Sequence, residues 1–520
     1  MITIRSATAA ALLVAAAVLA GCGGAGAGRD GSGDSSGGSG GAASLYANQC
    51  APTNALARDA AGNLLSGYRS GTLTTEKSWV RTYMNDVYLW YREMPEVAPE
   101  LAAYNVTPAE IALDNYFQAL KTPQLTASGK RKDQFSFTYP TAAWNALSQS
   151  GVVNGYGFEL VILAPTAPRS ARVGYLQPGS QAASAGVARG DALLAITVGG
   201  RTIDFVSATS TGDLATLNTT LFSPATGSGA TFRFRTNGGT IRDVPLTASQ
   251  VATQPVLYQA VLTQGAAKVG YLVFNDFVLP GEGQLKTAFQ SFESQGLDDL
   301  VLDLRYNGGG YVFMASQLAY MIAPPSRTGG RVFERYQFND KRTADSRDPN
   351  NSIGFLSVSS GIAGSGTTRD SRLPNLNLSR VFVLTSASTC SASESVINGL
   401  RGVDVEVVLI GGRTCGKPYG FVARDNCGLS YFPIEFQGVN DRGVGDFADG
   451  FAPACAVADD FDAALGSSDE DMLAAALAYR TGGVCAAISR KDATAGVDDS
   501  GGAAGQLVRP PARSGKYLAR

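Results

Sequence analysis

Histidine does not occur anywhere in the 520 residues. Its absence removes the commonest general base and the commonest transition-metal ligand together. Ser-His-Asp, Cys-His and zinc-peptidase mechanisms are therefore excluded, and a hydrolytic site on this chain needs another base. Lysine is scarce, with ten residues, and no serine stands three positions before any of them, so the Ser-x-x-Lys arrangement is also missing. No Cys-x-x-Cys pair suggests zinc or dithiol chemistry. The formal net charge is only -2 and no long basic run occurs. The concentrated positive footprint that phosphate backbones require is lacking, so nucleic acid is set aside as a partner. Neither a metal nor a cofactor is expected.

What is present begins with an export pattern. Arg5 precedes an apolar run from Ala9 to Ala20 that is too short to span a bilayer, so residues 1–22 read as a cleaved signal. The run ends in Leu19-Ala20-Gly21-Cys22, which resembles the bacterial lipoprotein signal box. That resemblance implies lipidation of Cys22 and membrane attachment through several acyl chains; a plain secretory signal is the alternative. Gly23 stands where an aspartate often retains lipoproteins at the inner membrane, so the expected location is the outer membrane of a bacterial envelope, facing the periplasm. Six cysteines remain, an even number that suggests disulfides in an exported protein. Fifteen pairings exist; proximity favours Cys415 with Cys427 and Cys455 with Cys485.

At roughly 100 to 200 residues per domain, the chain holds two or three. Residues 23–44 are almost wholly Gly, Ser, Ala and Asp and read as a flexible linker. Over 45–148, Val80, Met84, Val87 and Tyr91 recur at helical spacing, with Trp79, Leu89 and Trp90 adding bulk, which predicts a small helical domain whose aromatic stripe is core. Over 149–250 short β-branched runs alternate with Gly, Pro and Asn, with one helix near 181–185. Gly155-Tyr156-Gly157-Phe158, Pro178-Gly179-Ser180, Gly186-Val187 and Gly190-Asp191 occur there in order, and in that order they resemble a PDZ domain. The resemblance makes Gly155, Tyr156, Gly157 and Phe158 the peptide-binding loop, with a peptide adding a strand beside it. Residues 251–486 alternate apolar strands and helices, an α/β pattern with buried strands. Residues 487–520 turn small and polar and read as a disordered tail.

Three segments of the α/β region carry chemistry. Asp303-Leu304-Arg305-Tyr306-Asn307 runs from a strand into Gly308-Gly309-Gly310, where backbone N–H groups can approach a substrate oxygen. Thr389-Cys390-Ser391-Ala392-Ser393-Glu394 follows the strand 381–384. A serine at such a junction presents its hydroxyl while the next N–H faces a developing oxyanion, or it merely caps the helix. Gly416-Lys417-Pro418 lies in a loop after a buried strand, where burial would lower the lysine pKa far enough for it to act as a base.

Taken in this order after a PDZ-like region, the glycine triplet, the Ser-Ala-Ser-Glu segment and the Gly-Lys loop resemble the carboxyl-terminal processing peptidase family, over most of residues 150 to 485. The resemblance implies a crotonase-like α/β core, Ser391 as nucleophile, Lys417 as general base 26 residues later, and oxyanion donors at Gly310 and Ala392. It implies an endopeptidase acting on exported polypeptides, unfolded segments or C-termini, with activity rising toward alkaline pH. One departure concerns the third catalytic member: Phe421 stands where many members carry a glutamine. Two rivals are a catalytically silent PDZ lipoprotein that binds peptides, and an acyl-transfer enzyme on the crotonase-like core.

Overall fold

The computed structural model describes residues 43–59, 61–485, 505–509 and 516–518. The export signal, Cys22 and residues 23–42 of the linker lie outside them, while Ala43 and Ser44 begin a short helix, Ala43–Tyr46. Among the described residues no helix is long and apolar enough to cross a membrane.

The α/β region is built on a six-stranded sheet in the order Val256–Gln264, Ala267–Phe274, Asp299–Asp303, Arg380–Thr385, Glu406–Gly411, Cys455–Ala456. The first pair is antiparallel and the rest are parallel. Successive side chains alternate between the sheet's two faces. Leu272, Phe274, Leu300, Leu302, Val381 and Val383 pack beneath the helices Pro280–Gln295, Val312–Ile322 and Ala392–Gly402. Tyr271, Val273, Val301, Phe382 and Leu384 face the helix Asp471–Gly482. Cover on both sides explains why these strands read as unbroken apolar runs.

Residues 152–252 are β-rich. The strands Ile241–Thr247, Gly229–Arg235, Ala192–Val198, Ser170–Leu176 and Phe158–Ala164 lie side by side in that order, with the helix Thr211–Phe222 packed on them. The next strand of this sheet is Gln506–Leu507, antiparallel to Phe158–Ala164. The expectation of a disordered tail therefore fails at 505–509 and again at Lys516–Leu518, which pairs with Gly309–Tyr311. Composition misled here because edge pairing is made by backbone groups and needs little apolar sequence.

The helices Leu73–Val87, Ala109–Ala119 and Thr141–Ser150 occupy the N-terminal part. Trp79, Val80, Met84, Leu113 and Phe117 share one core with Phe421, Leu429, Tyr431 and Phe432, and the strand Phe137–Pro140 pairs with Leu429–Phe432. The N-terminal helices thus pack directly on the segment that follows Lys417. Three disulfides join Cys50 to Cys427, Cys390 to Cys415, and Cys455 to Cys485. The pairing of Cys415 with Cys427 is incorrect: Cys415 is bonded to Cys390 of the Ser391 turn, across the sheet's C-terminal edge.

Candidate active site

All three candidate segments leave the C-terminal ends of parallel strands, where side chains converge on a crevice. After Asp299–Asp303 the chain turns at Asn307, whose Oδ1 accepts from Gly309 N at 2.9 Å and whose Nδ2 donates to Phe274 O at 2.9 Å. Phe277 N donates to Gly309 O, and Tyr311 N donates to Phe277 O. Gly310 has φ +143°, and a Cβ there would stand 2.2 Å from Phe277 O, so only glycine fits.

Ser391 sits between the strand Arg380–Thr385 and the helix Ala392–Gly402 with φ 61° and ψ -116°. A non-glycine residue in such a conformation costs about 1–3 kcal/mol and must be held by its surroundings. Thr389 Oγ1 donates to Leu304 O at 2.9 Å, and Cys390 N and Ser393 Oγ both donate to Asn307 O at 3.1 Å. Ser393 is therefore a tie between the two turns rather than a helix cap. Ser391 is fully buried, and its Oγ has no hydrogen-bond partner among the described residues. Ala392 opens the helix, where the first N–H groups are not consumed by the helical ladder.

Glu394 joins this turn to the lysine loop. Its Oε2 accepts from Ser391 N at 3.0 Å and from Lys417 N at 2.8 Å. Its Oε1 accepts from Thr414 Oγ1 at 2.6 Å and from Gly416 N at 2.9 Å. One carboxylate oxygen thus holds the backbones of Ser391 and Lys417 together, and the Cys390–Cys415 disulfide, with its Cα atoms 5.2 Å apart, ties the same two loops covalently. Burial raises the Glu394 pKa, against the pull of these four donors. The sulfurs of Cys390 and Cys415 lie near Glu394, but in a disulfide they are not the thiolates a metal needs.

The Lys417 side chain is fully buried. Its Nζ lies 4.3 Å from the centre of the Phe421 ring and 5.3 Å from that of Phe135. Burial lowers its pKa to about 7, opposed by the charges of Asp133 and Glu394. Where the resemblance leads one to expect a glutamine, an aromatic face adjoins the amine. Beside the Ser391 turn opens a cavity of about 550 Å³ whose lining includes Gly308, Cys390, Cys415 and Phe135.

The loop Gly155-Tyr156-Gly157-Phe158 lies apart from this constellation, at the start of the strand Phe158–Ala164. Gly157 has φ +92°, and a Cβ there would meet Ser180 at 2.1 Å. The rings of Tyr156 and Phe158 stack at 6.0 Å against the core of the β-rich region, so the loop can offer backbone rather than side chains. A groove runs between this strand and the helix Thr211–Phe222, lined by Ile162, Leu217 and Leu221. A buried ionic cluster connects the β-rich region to the glycine turn. Arg189 and Arg305 both bind Asp459, Arg189 also donates to Tyr306, and Arg305 pairs with Asp303 and Glu470.

Sequence reasoning missed Glu394 as the central acceptor, although its spacing of three from Ser391 is the capping-box signal. It also missed Asp133 and Phe135, which reach the lysine from the N-terminal part and carry no local motif.

Peptidase family S41 matches residues 268–422 by its sequence model, and the peptidase S41 N-terminal domain matches residues 75–137. With these two regions in sequence order, and the Ser391 and Lys417 loops both inside the second, the chain is similar in sequence to the carboxyl-terminal processing peptidase family, S41. A carboxyl-terminal-processing protease of Picosynechococcus sp. is 28% identical over 182 residues, which is 33% of this chain and 39% of that protein; the match spans well under half of that relative. A crystal structure from Bacteroides fragilis, described as an S41 protease, superposes with a TM-score of 0.58 at 25% identity, over 78% of this chain and 97% of the other. The photosystem II D1 C-terminal processing protease gives a TM-score of 0.42 at 20% identity, over 75% of this chain and 94% of the other.

Proposed function

We propose that the chain is a serine endopeptidase that cleaves exported polypeptides through Ser391 and Lys417 on a crotonase-like core. The observation that carries this reading is the pair of hydrogen bonds from Ser391 N and Lys417 N to one Glu394 oxygen, beside a lysine whose pKa is lowered to about 7 by burial. At neutral pH about half of such lysines are uncharged, and an uncharged amine can accept the hydroxyl proton. Ser391 Oγ then attacks the peptide carbonyl, and the N–H groups of Gly310 and Ala392 receive the oxyanion. Lys417 passes the proton to the departing amine. Water attacks the acyl-serine by the same route in reverse and releases the acid.

The β-rich region acts as a PDZ domain, and the groove beside Gly155, Tyr156, Gly157 and Phe158 takes an extended peptide by strand addition. Lipidation of Cys22 holds the enzyme at the outer membrane, facing the periplasm. Purified protein is expected to cleave casein and a C-terminally tagged peptide, and Ser391→Ala and Lys417→Ala to abolish cleavage while peptide binding persists. Binding without cleavage by the unaltered protein would favour a peptide-binding lipoprotein instead. Globomycin-sensitive processing and a mass shift for diacylglycerol on Cys22, lost in Cys22→Ala, test the anchor.

A further inference from the structure

The substrate path described above is already occupied by this chain. Gly505, Gln506 and Val508 line the groove between Phe158–Ala164 and Thr211–Phe222. Gln506 and Leu507 pair antiparallel with Ile162 and Val161, and Val508 N donates to Leu160 O at 3.1 Å. Residues alternate as strand addition requires: Gly505, Leu507 and Arg509 are buried, while Gln506 is exposed. Leu507 packs with Val161, Tyr175 and Tyr306, and its N–H donates to Ser388 Oγ at 2.8 Å, three residues before Ser391. Arg509 is buried against Glu159, 3.5 Å away, and donates to Tyr175 Oη. The segment reaches the loop 155–158, with Val508 beside it.

The second contact is at the catalytic turn. Lys516, Tyr517 and Leu518 pair in parallel with Gly309, Gly310 and Tyr311. Gly309 O and Tyr311 N are taken by Phe277 on one edge. Backbone groups of successive strand residues point to opposite edges, so the N–H of Gly310 faces the edge that Lys516–Leu518 covers. The backbone of the strand Lys516–Leu518 also lies near that of Tyr419–Gly420, just beyond Lys417. It therefore lies between the glycine turn and the lysine loop.

We propose that residues 505–509 and 516–518 form a tethered ligand that competes with substrate polypeptide for the groove and the catalytic turn, with Arg509 on Glu159 as its anchor. This deepens the peptidase reading and rests on it for the kinetic arm of the test alone. In the full chain, Arg509→Glu is expected to lower KM for an extended peptide substrate roughly tenfold with kcat unchanged, since a tether acts as a high local concentration of competitor. Adding Glu159→Arg to that variant is expected to restore the higher KM. A synthetic peptide of residues 505–518 is expected to inhibit Arg509→Glu competitively. Unaltered KM in a folded Arg509→Glu protein, or noncompetitive behaviour of the peptide, overturns the proposal. The arm independent of turnover is amide exchange in Ser391→Ala: slow exchange at Leu507 and Val508, lost in Ser391→Ala/Arg509→Glu, supports the tether, and fast exchange before that change overturns it. If exchange is slow but no substrate is cleaved, the peptidase reading fails and the tether stands.

Discussion

Glu394→Gln tests the geometry most sharply, because the substitution keeps the size of the side chain and changes only what its two terminal atoms do. The carboxylate accepts four hydrogen bonds, two on each oxygen. Whichever way the amide is turned, its NH2 faces two donors. Two bonds to a charged acceptor are lost, at about 1.5–3 kcal/mol each, and relief from burying a charge offsets part of this. The expected net loss is about 3 kcal/mol, read as a lower urea midpoint at unchanged slope. Ser391 and Lys417 lose their shared acceptor, so kcat/KM at pH 8 is expected to fall about a hundredfold, equivalent to roughly 2.7 kcal/mol. The pH profile separates this from general loosening. The negative charge of Glu394 raises the pKa of Lys417, so a neutral glutamine disfavours the ammonium further, and the rising limb of activity moves to lower pH. A limb displaced to higher pH, or stability and kcat/KM both within twofold of the unaltered protein, would refute the reasoning.

Phe421→Ala opens the apolar cover of Lys417 to water, so the lysine pKa climbs back toward its ordinary value and activity at pH 7 drops about tenfold per unit of climb; the kcat/KM profile checks this, and its limb moves in the opposite direction from that of Glu394→Gln. Reducing the disulfides frees the loop of sequence separation 25 closed by Cys390 and Cys415, worth about 3 kcal/mol by chain entropy, and activity is expected to fall before the fold melts, as paired activity and circular dichroism titrations with reductant would show. Lys417→Met is expected to abolish cleavage and, by removing an amine whose charge burial disfavours, to stabilise the fold at pH 7. Between pH 7 and 10.5 the unfolded lysine binds a proton that the folded one does not, so this group makes stability rise with pH across that window; the methionine variant loses that slope in denaturation series at several pH values.

Much of the catalytic frame is legible in the sequence because it rests on short-range patterns. The α/β alternation read over 251–486 and the strand read at 381–384 fall where apolar runs and glycine breaks put them, the strand being observed as Arg380–Thr385. Ser391 and Lys417 stood out because histidine is absent and few lysines remain. What stayed hidden depends on distance along the chain. Asp133 and Phe135 approach Lys417 from nearly three hundred residues away in sequence, and Cys50 crosses to Cys427 over a separation of 377, which no local rule anticipates. The strands of the tail escaped because backbone pairing leaves only a faint trace in composition, as in Gln506–Leu507 with its single buried apolar side chain. The aromatic at 421 signalled a departure from the family pattern, yet its consequence, an apolar wall against the amine, required the coordinates.

The central claim is that an uncharged Lys417 takes the proton of Ser391, and single-turnover acylation followed from pH 5 to 9 measures it most directly. The account predicts a rate that rises through one ionisation near pH 7 to a plateau, with Lys417→Ala showing no such step above background. A rate that is flat across the whole range in the unaltered enzyme, or that keeps its step near pH 7 when Lys417 is gone, would contradict it.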